Sequence, residues 1–290
     1  MYKLVAIDLD GTILDHNGEI SEETKEIVKK CTEKGVEIVL ASGRPIDSIK
    51  VIANDLGLKG YFIAGNGALV YDIQKDEIIY KNDIKKEKVL EMIKICEENS
   101  ISYNVYTDKV ILTPNLKFNV LYYYKENLKK EENKKTNISI IENMYKYVEN
   151  MQDIPFLKIT ICDQHDMIFH SIIKKIKEIK GIEVLEVEHM SKKMITQGTA
   201  EIPVEYFYTE ISASHVDKWN ALEFLMKKIG IEKQNIMAIG DNINDKKMIE
   251  NAGMGVAMKG SVPNIIEVAK EVTDSNDEDG VAKILEKYIV

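Results

Sequence analysis

The sequence predicts an α/β protein: a doubly wound parallel sheet built from both ends of the chain, with an α+β domain inserted between them. Two observations predict it. Short apolar runs rich in β-favouring residues alternate with well-capped helices over residues 3–72 and again after about 212, the rhythm of a parallel sheet with helices on its faces. From about 84 the rhythm changes to helices, a hairpin and single strands, an antiparallel pattern. The expected division is therefore 1–83 for the first part of the core, 84–206 for the insert and 207–290 for the second part. At 290 residues the chain is long enough to bury a full core without staples.

The elements follow in order. KLVAID (3–8) reads as a buried strand whose C-terminal end carries carboxylates. Ser21 is an N-cap for a helix with acidic residues in its first turn, lysines later and Gly35 as its stop. VEIVLA (36–41) is the next strand, 46–56 a helix closed by Gly57, and YFIAGNGALVYD (61–72) a strand that breaks at Gly65-Asn66-Gly67. In the insert, 85–98 reads as a helix, ISYNVYTDKVILT as a hairpin turning near Asp108, 116–132 as a helix, PFLKITIC as a strand, 165–179 as a helix and IEVLEVE as a strand. The core then resumes with a helix at 217–229, the strand NIMAIGD, a helix at 244–252, the strand GMGVAM and helices at 262–270 and 280–288. No repeat recurs at a fixed period.

Composition narrows the function. Cys31, Cys96 and Cys162 lie far apart and form no CxxC, which disfavours a disulfide scaffold or a zinc ribbon. No apolar run approaches the roughly 20 residues of a membrane-spanning helix, and the N-terminus turns acidic within ten residues, unlike a signal peptide. A cytoplasmic protein with no membrane partner is expected. The net charge of -9 argues against nucleic acid, which calls for a basic surface. Segment 84–206 balances 19 lysines against 19 acidic residues, so the negative charge belongs to the remainder, a candidate cation site or a solvated acidic surface. Among 39 cationic residues Arg44 is the only arginine, so a planar fork is expected to serve a purpose there, either gripping substrate or pairing with an acid.

The chemistry gathers at strand ends. Asp8 and Asp10 follow the first strand, Ser42 the second, Asp241, Asn244 and Asp245 a late one, and Lys218 opens a helix. In parallel α/β sheets ligands bind at the carboxyl ends of the strands, so these residues can converge although 210 positions separate Asp8 from Lys218. Such a set suits phosphoryl transfer, whose charge spreads over the phosphoryl oxygens. Asp8 and Asp241 could supply carboxylates to Mg²⁺. Lys218 could neutralise a phosphate oxygen, and Ser42 and the Gly43 N–H could donate to others. A carboxylate nucleophile would divide hydrolysis into two steps. Asp10 could protonate the leaving group and then activate water, if extended geometry continues and keeps positions 8 and 10 on one side. Either DLDGT or GDNIND alone could be an ordinary turn; several such motifs in order weigh against that.

DLDGT (8–12), SGR (42–44), DK (217–218) and GDNIND (240–245) resemble, in order and spacing, the four motifs of haloacid-dehalogenase-superfamily phosphatases. NGALVYD (66–72), AGMGVAM (252–258) and NDEDGVA (276–282) resemble the Cof-type subfamily, whose type IIB α+β cap corresponds to the insert. The resemblance implies a Rossmann-like core and a Mg²⁺-dependent phosphatase working through an aspartyl-phosphate. It implies Asp8 as nucleophile and metal ligand, and Asp10 as acid/base with its carbonyl on the metal. Asp241 becomes the third metal ligand, and Leu9, Ser42, Gly43, Lys218 and Asn244 become phosphate contacts. Asp245 would orient Lys218 or a metal-bound water. A cap that closes over the site limits access, so small phosphate esters are expected: sugar phosphates, or phosphorylated cofactors such as flavin mononucleotide or pyridoxal phosphate. The expected assembly is a monomer or homodimer. A phosphomutase and a non-catalytic phosphate-binding module are the rivals.

This sequence departs from the family pattern at Trp219 and His215, where glycine is common, and in a long stretch around 186–206. Trp219 reads as core packing rather than substrate stacking. His16, His165, His170, His189 and His215 show no ligand spacing, although His215 could line the pocket. The run Tyr122–Tyr124 reads as part core and part surface.

Overall fold

In the computed structural model, which describes residues 2–128, 132, 135–185, 191–197 and 200–290, the chain divides into two compact units: residues 2–81 with 216–290, and Asn82–His215. The insert thus begins two residues before the expected 84 and ends nine after the expected 206. The later end has a simple cause. One 14-residue strand, Ala200–Ala213, pairs with neighbours of the second unit to its last residue.

The first unit contributes β1 (Leu4–Ile7), α1 (Glu22–Glu33), β2 (Glu37–Ala41), α2 (Ile46–Asp55), β3 (Tyr61–Ala64), β4 (Leu69–Asp72) and β5 (Glu77–Lys81). The second contributes α3 (Lys86–Glu98), β6 (Ser102–Thr107), β7 (Ile111–Thr113), α4 (Phe118–Asn127), β8 (Ile138–Ile140), α5 (Met144–Asn150), β9 (Phe156–Asp163), α6 (Asp166–Ile176), β10 (Ile182–Val184), β11 (Ser191–Gln197) and β12 (Ala200–Ala213). The first unit then resumes with α7 (Lys218–Ile229), β13 (Ile236–Gly240), α8 (Lys246–Asn251), β14 (Met254–Ala257), α9 (Pro263–Ile266), β15 (Glu271–Val272) and α10 (Gly280–Tyr288).

The sheet of the first unit has the order β15-β14-β13-β1-β2-β3-β4-β5, parallel from β15 to β3 and antiparallel at β4 and β5. Its strands are apolar at successive positions because both faces are covered. Leu4, Ala6, Val39, Ala41, Ile63, Ile236 and Ala238 pack with Trp219, Leu222 and Leu225 of α7, Met248 and Ile249 of α8 and Ile265 of α9. Alternation sends the intervening Val5, Ile7, Ile38 and Leu40, also buried, to the opposite face, where α1 lies against β2 and α10. Ser21 caps α1 through its hydroxyl, which accepts from the Thr24 N–H at 3.0 Å. The expected helix at 262–270 is shorter, Pro263–Ile266, because Lys270 turns its N–H to the Gly255 carbonyl and leads into β15.

The second unit holds a sheet in the order β10-β12-β9-β6-β7-β8, with β11 paired to β12. Its pairs are antiparallel except β7–β8, which is parallel. The hairpin expected at Asp108 joins β6 to β7. Helices α3 and α6 pack on this sheet and on each other, burying Val89, Met92, Ile93, Phe169, Ile172 and Ile176. The last residues of the expected strand 182–188, His189 and most of the lysine-rich and asparagine-rich stretch lie outside the described residues. All three cysteines are buried and free, and burial pushes the Cys31 thiol up to about 11, consistent with inert packing thiols.

Candidate active site

The parallel strand order reverses at β1: the chain moves outward through β2 and β3, then returns to place β13 on the other side of β1. Two residues sit at that switch point, where doubly wound sheets form their crevice. Asp8 follows β1 and Asp241 follows β13, and the Asp8 N–H is tied to the Ile239 carbonyl at 3.0 Å. Carboxylate oxygens of Asp8, Asp241 and Asp245 lie within 4.8 Å of one another.

Lys218 binds this cluster together. It is the first residue of α7, with Asp217 as N-cap accepting from the Asn220 N–H at 2.7 Å. Its side chain is fully buried, and Nζ donates to Asp8 Oδ1 at 2.5 Å and Asp245 Oδ1 at 2.6 Å. A cation at a helix start is locally unfavourable; two buried carboxylates explain it. Burial would lower the Lys218 pKa, but Asp8 and Asp245 outweigh it and the net direction is up. Burial raises the Asp8 carboxyl, Lys218 opposing it and Asp245 and Asp241 adding to it. Burial and then the Asp245 charge push Asp241 up to about 6.

Asp245 is braced. Its Oδ1 takes Lys218, and its Oδ2 accepts the N–H groups of Asp241 at 3.0 Å and Asn242 at 3.1 Å. A Cβ on Gly240 would lie 2.5 Å from the Asp245 Cγ, so only glycine permits this approach. Although Asp245 belongs to the cluster by distance, its oxygens are committed, which suits a positioning role. The oxygens of Asp8 and Asp241 remain the better cation ligands, and Asp241 Oδ1 accepts from the Thr12 hydroxyl at 3.4 Å.

Asp10 is not one of the three clustered carboxylates, although its charge is among those that raise Asp241. Extended geometry does not continue past Asp8, because the Leu9 carbonyl accepts the N–H groups of Thr12 at 3.3 Å and Leu14 at 3.0 Å and turns the chain. The continued extension on which the same-side placement of positions 8 and 10 depended is therefore not found. The Asp8 side chain is 7% exposed and that of Asp10 is 61%. Asp10 pairs with Arg44 through both guanidinium prongs, Nε to Oδ2 at 2.9 Å and Nη2 to Oδ1. Of the two readings left open for Arg44, the acid pair is the one observed.

Ser42 follows β2 and is buried; its Oγ accepts the Arg44 N–H at 3.2 Å. Asn244 donates from Nδ2 to Asn66 Oδ1 at 3.0 Å. Asn66 and Thr12 had no assigned role in the sequence. Asn66 adopts φ +58 at the turn between β3 and β4, and its N–H binds the Ser42 carbonyl at 2.9 Å. It thus joins the loops of Ser42 and Asn244. An asparagine flanked by glycines at a strand end was the available signal. Trp219 is core, with Nε1 donating to Glu223 at 3.1 Å. His215 lies in the second unit, its N–H on Glu183 at 3.3 Å.

Gly11 offers a test of the crowding. Its φ is +83, and an added Cβ would meet Asp241 Oδ2 at 2.7 Å. Gly11→Ala is expected to displace Asp241 and reduce phosphate release by about a hundredfold, the scale of a 1 Å misplacement. Turnover within threefold of wild type would show that the loop relaxes without moving Asp241.

The donor set fits a hard divalent cation. It is all oxygen, and three carboxylates facing one ammonium leave two negative charges uncompensated.

A family model for haloacid dehalogenase-like hydrolases matches residues 5–285, and the chain belongs to that family, with Cof-type character. Among similar proteins, the phosphatase YwpJ of Bacillus subtilis (strain 168) is 28% identical over 296 residues, covering 99% of this chain and 100% of that one. The 5-amino-6-(5-phospho-D-ribitylamino)uracil phosphatase YwtE of the same strain is 29% identical over 294 residues, covering 99% and 98%. A crystal structure of a haloacid dehalogenase-like hydrolase from Bacteroides thetaiotaomicron superposes with a TM-score of 0.78 at 27% identity, covering 99% of each chain. The protein is a phosphatase of this family, whose members generally use a divalent metal.

Proposed function

We propose that the chain hydrolyses small phosphomonoesters with Mg²⁺, through an aspartyl-phosphate on Asp8. The observation that carries this reading is the convergence of Asp8, Lys218, Asp241 and Asp245 at the switch point of the sheet.

In the first step an Asp8 carboxylate oxygen bonds to phosphorus. The ester oxygen departs with its bonding pair and takes a proton from Asp10. In the second, water attacks the same phosphorus, Asp10 accepts its proton, and the phosphorus–Asp8 oxygen bond breaks to release inorganic phosphate. Lys218 has three N–H donors; two hold Asp8 and Asp245, and the third serves a phosphoryl oxygen. Ser42 Oγ, the N–H groups of Leu9 and Gly43 and the Asn244 amide complete the phosphate contacts. Asp8, Asp241 and the Asp10 carbonyl would hold Mg²⁺, which when bound neutralises charge on the phosphoryl group as a Lewis acid. Asp245 keeps Lys218 and the backbone of Asp241 in place.

The substrates are small: sugar phosphates, or phosphorylated cofactors such as flavin mononucleotide or pyridoxal phosphate. YwtE, named for a phosphoribitylamino substrate, supports that range. The net charge of -9 argues against nucleic acid, which calls for a basic surface. No described helix is long and apolar enough to cross a membrane. We place the protein in the cytoplasm, as a monomer or homodimer.

The test is phosphate release from a panel of such esters with Mg²⁺ and with EDTA. Release that EDTA abolishes and Mg²⁺ restores is expected. A folded protein that releases nothing from any ester would move the assignment to phosphate transfer between hydroxyls or to binding alone.

A further inference from the structure

Arg44 is held from several directions. Its N–H donates to Ser42 Oγ at 3.2 Å, its carbonyl accepts the Gly65 N–H at 3.1 Å, and Nη1 reaches Ser48 Oγ, in the first turn of α2, at 3.4 Å. From this mount its fork crosses to the loop after β1 and takes both oxygens of Asp10. The Asp10 backbone bridges Leu14, but its side chain is 61% exposed and the hydrogen bonds of its carboxylate are those to Arg44. Every other cation in the chain is lysine, whose point charge cannot hold two carboxylate oxygens in one plane as a guanidinium does.

We propose that Arg44 is a positioning residue for Asp10. It sets the plane and direction of the carboxylate that exchanges protons in catalysis, and it does so by geometry rather than by charge. Each carboxylate oxygen offers two lone-pair sites, so the fork leaves one on each for the proton. This rests on the reading of Asp10 as acid and base given above. It distinguishes Arg44 from a residue that grips the substrate, because its whole effect must pass through Asp10.

The sharp variant is Arg44→Lys, which keeps the charge and loses the fork. kcat/KM reports bond breaking to the leaving group, so it is read with two esters. One is the best alkyl phosphate of the panel, whose leaving oxygen needs a proton. The other is p-nitrophenyl phosphate, whose leaving group departs as a stable anion. Arg44→Lys is expected to lower kcat/KM for the alkyl ester by about tenfold to a hundredfold and to leave the aryl ester within about threefold. In an Asp10→Asn background, itself slowed by about 10²–10⁴, adding Arg44→Lys should cost the alkyl ester nothing further. The thermal midpoint of Arg44→Lys should match that of wild type, since the pair is at the surface.

Equal losses on both esters, or the same loss with and without Asp10, would assign Arg44 to direct substrate contact and overturn the proposal. So would an alkyl rate that is unchanged or faster. These outcomes leave the hydrolase reading intact. An inert wild type would instead sink both.

Discussion

Asp8→Asn is expected to abolish phosphate release while leaving the fold intact. The amide keeps the size and shape of the carboxylate but lacks the electron pair that attacks phosphorus. Loss of a covalent nucleophile can cost about a million-fold in kcat, so background contamination sets the practical floor. Stability should hardly change. The carbonyl of the new side-chain amide can still accept from Lys218, whose charge keeps Asp245 at 2.6 Å, and one buried negative charge is removed from a cluster of three. The measurement is single-turnover phosphate release beside the unfolding midpoint of each protein. Residual turnover above a tenth of wild type, by an Asp8→Asn protein with a normal midpoint, would remove Asp8 as nucleophile.

That such a sharp expectation can be placed on one residue shows where the sequence is informative. Strand ends were legible because a fully buried parallel strand is a short apolar run, and polar residues directly after it stand out. Asp8, Ser42 and Asp241 were found that way, and alternation with capped helices identified the sheet. What escaped depends on contacts between segments far apart in the chain. Thr12 reaches Asp241 across 229 positions and Asn66 reaches Asn244 across 178; neither pairing has a local signature. The same-side reading of Asp8 and Asp10 was conditional on continued extended geometry, whereas N–H groups donating to the Leu9 carbonyl turn the chain there. Helix α5, the strand β11 and the 14-residue interior strand β12 also escaped notice. So did β5, β8 and β15, edge strands of five, three and two residues, which are stabilised by a neighbour rather than by their own pattern.

Lys218→Met carries the largest expected effect on stability, and it separates holding the site together from performing its chemistry. Methionine matches the aliphatic stem but removes the charge, leaving Asp8 and Asp245 buried and facing each other without their shared cation. Breaking a buried ion pair by removing one partner costs about 3–5 kcal/mol, a large share of the roughly 5–15 kcal/mol that holds a typical domain folded. The unfolding midpoint in urea should therefore fall well below wild type. Activity should vanish as well, since the third N–H donor of Lys218 is lost with the other two. A compensated variant resolves the ambiguity. With Asp8→Asn and Asp245→Asn added to Lys218→Met, the two buried carboxylates are neutral and only the half-buried Asp241 keeps its charge, so much of the lost stability should return because neutral replacement of a buried ionic cluster is often tolerated. Activity should not return. If Lys218→Met alone unfolds at the wild-type midpoint, the two carboxylates are relieved by water or protonation, and the lysine serves the reaction without holding the fold. If the triple variant is no more stable than the single one, the loss comes from packing around the lysine stem at the start of α7 rather than from unbalanced charge.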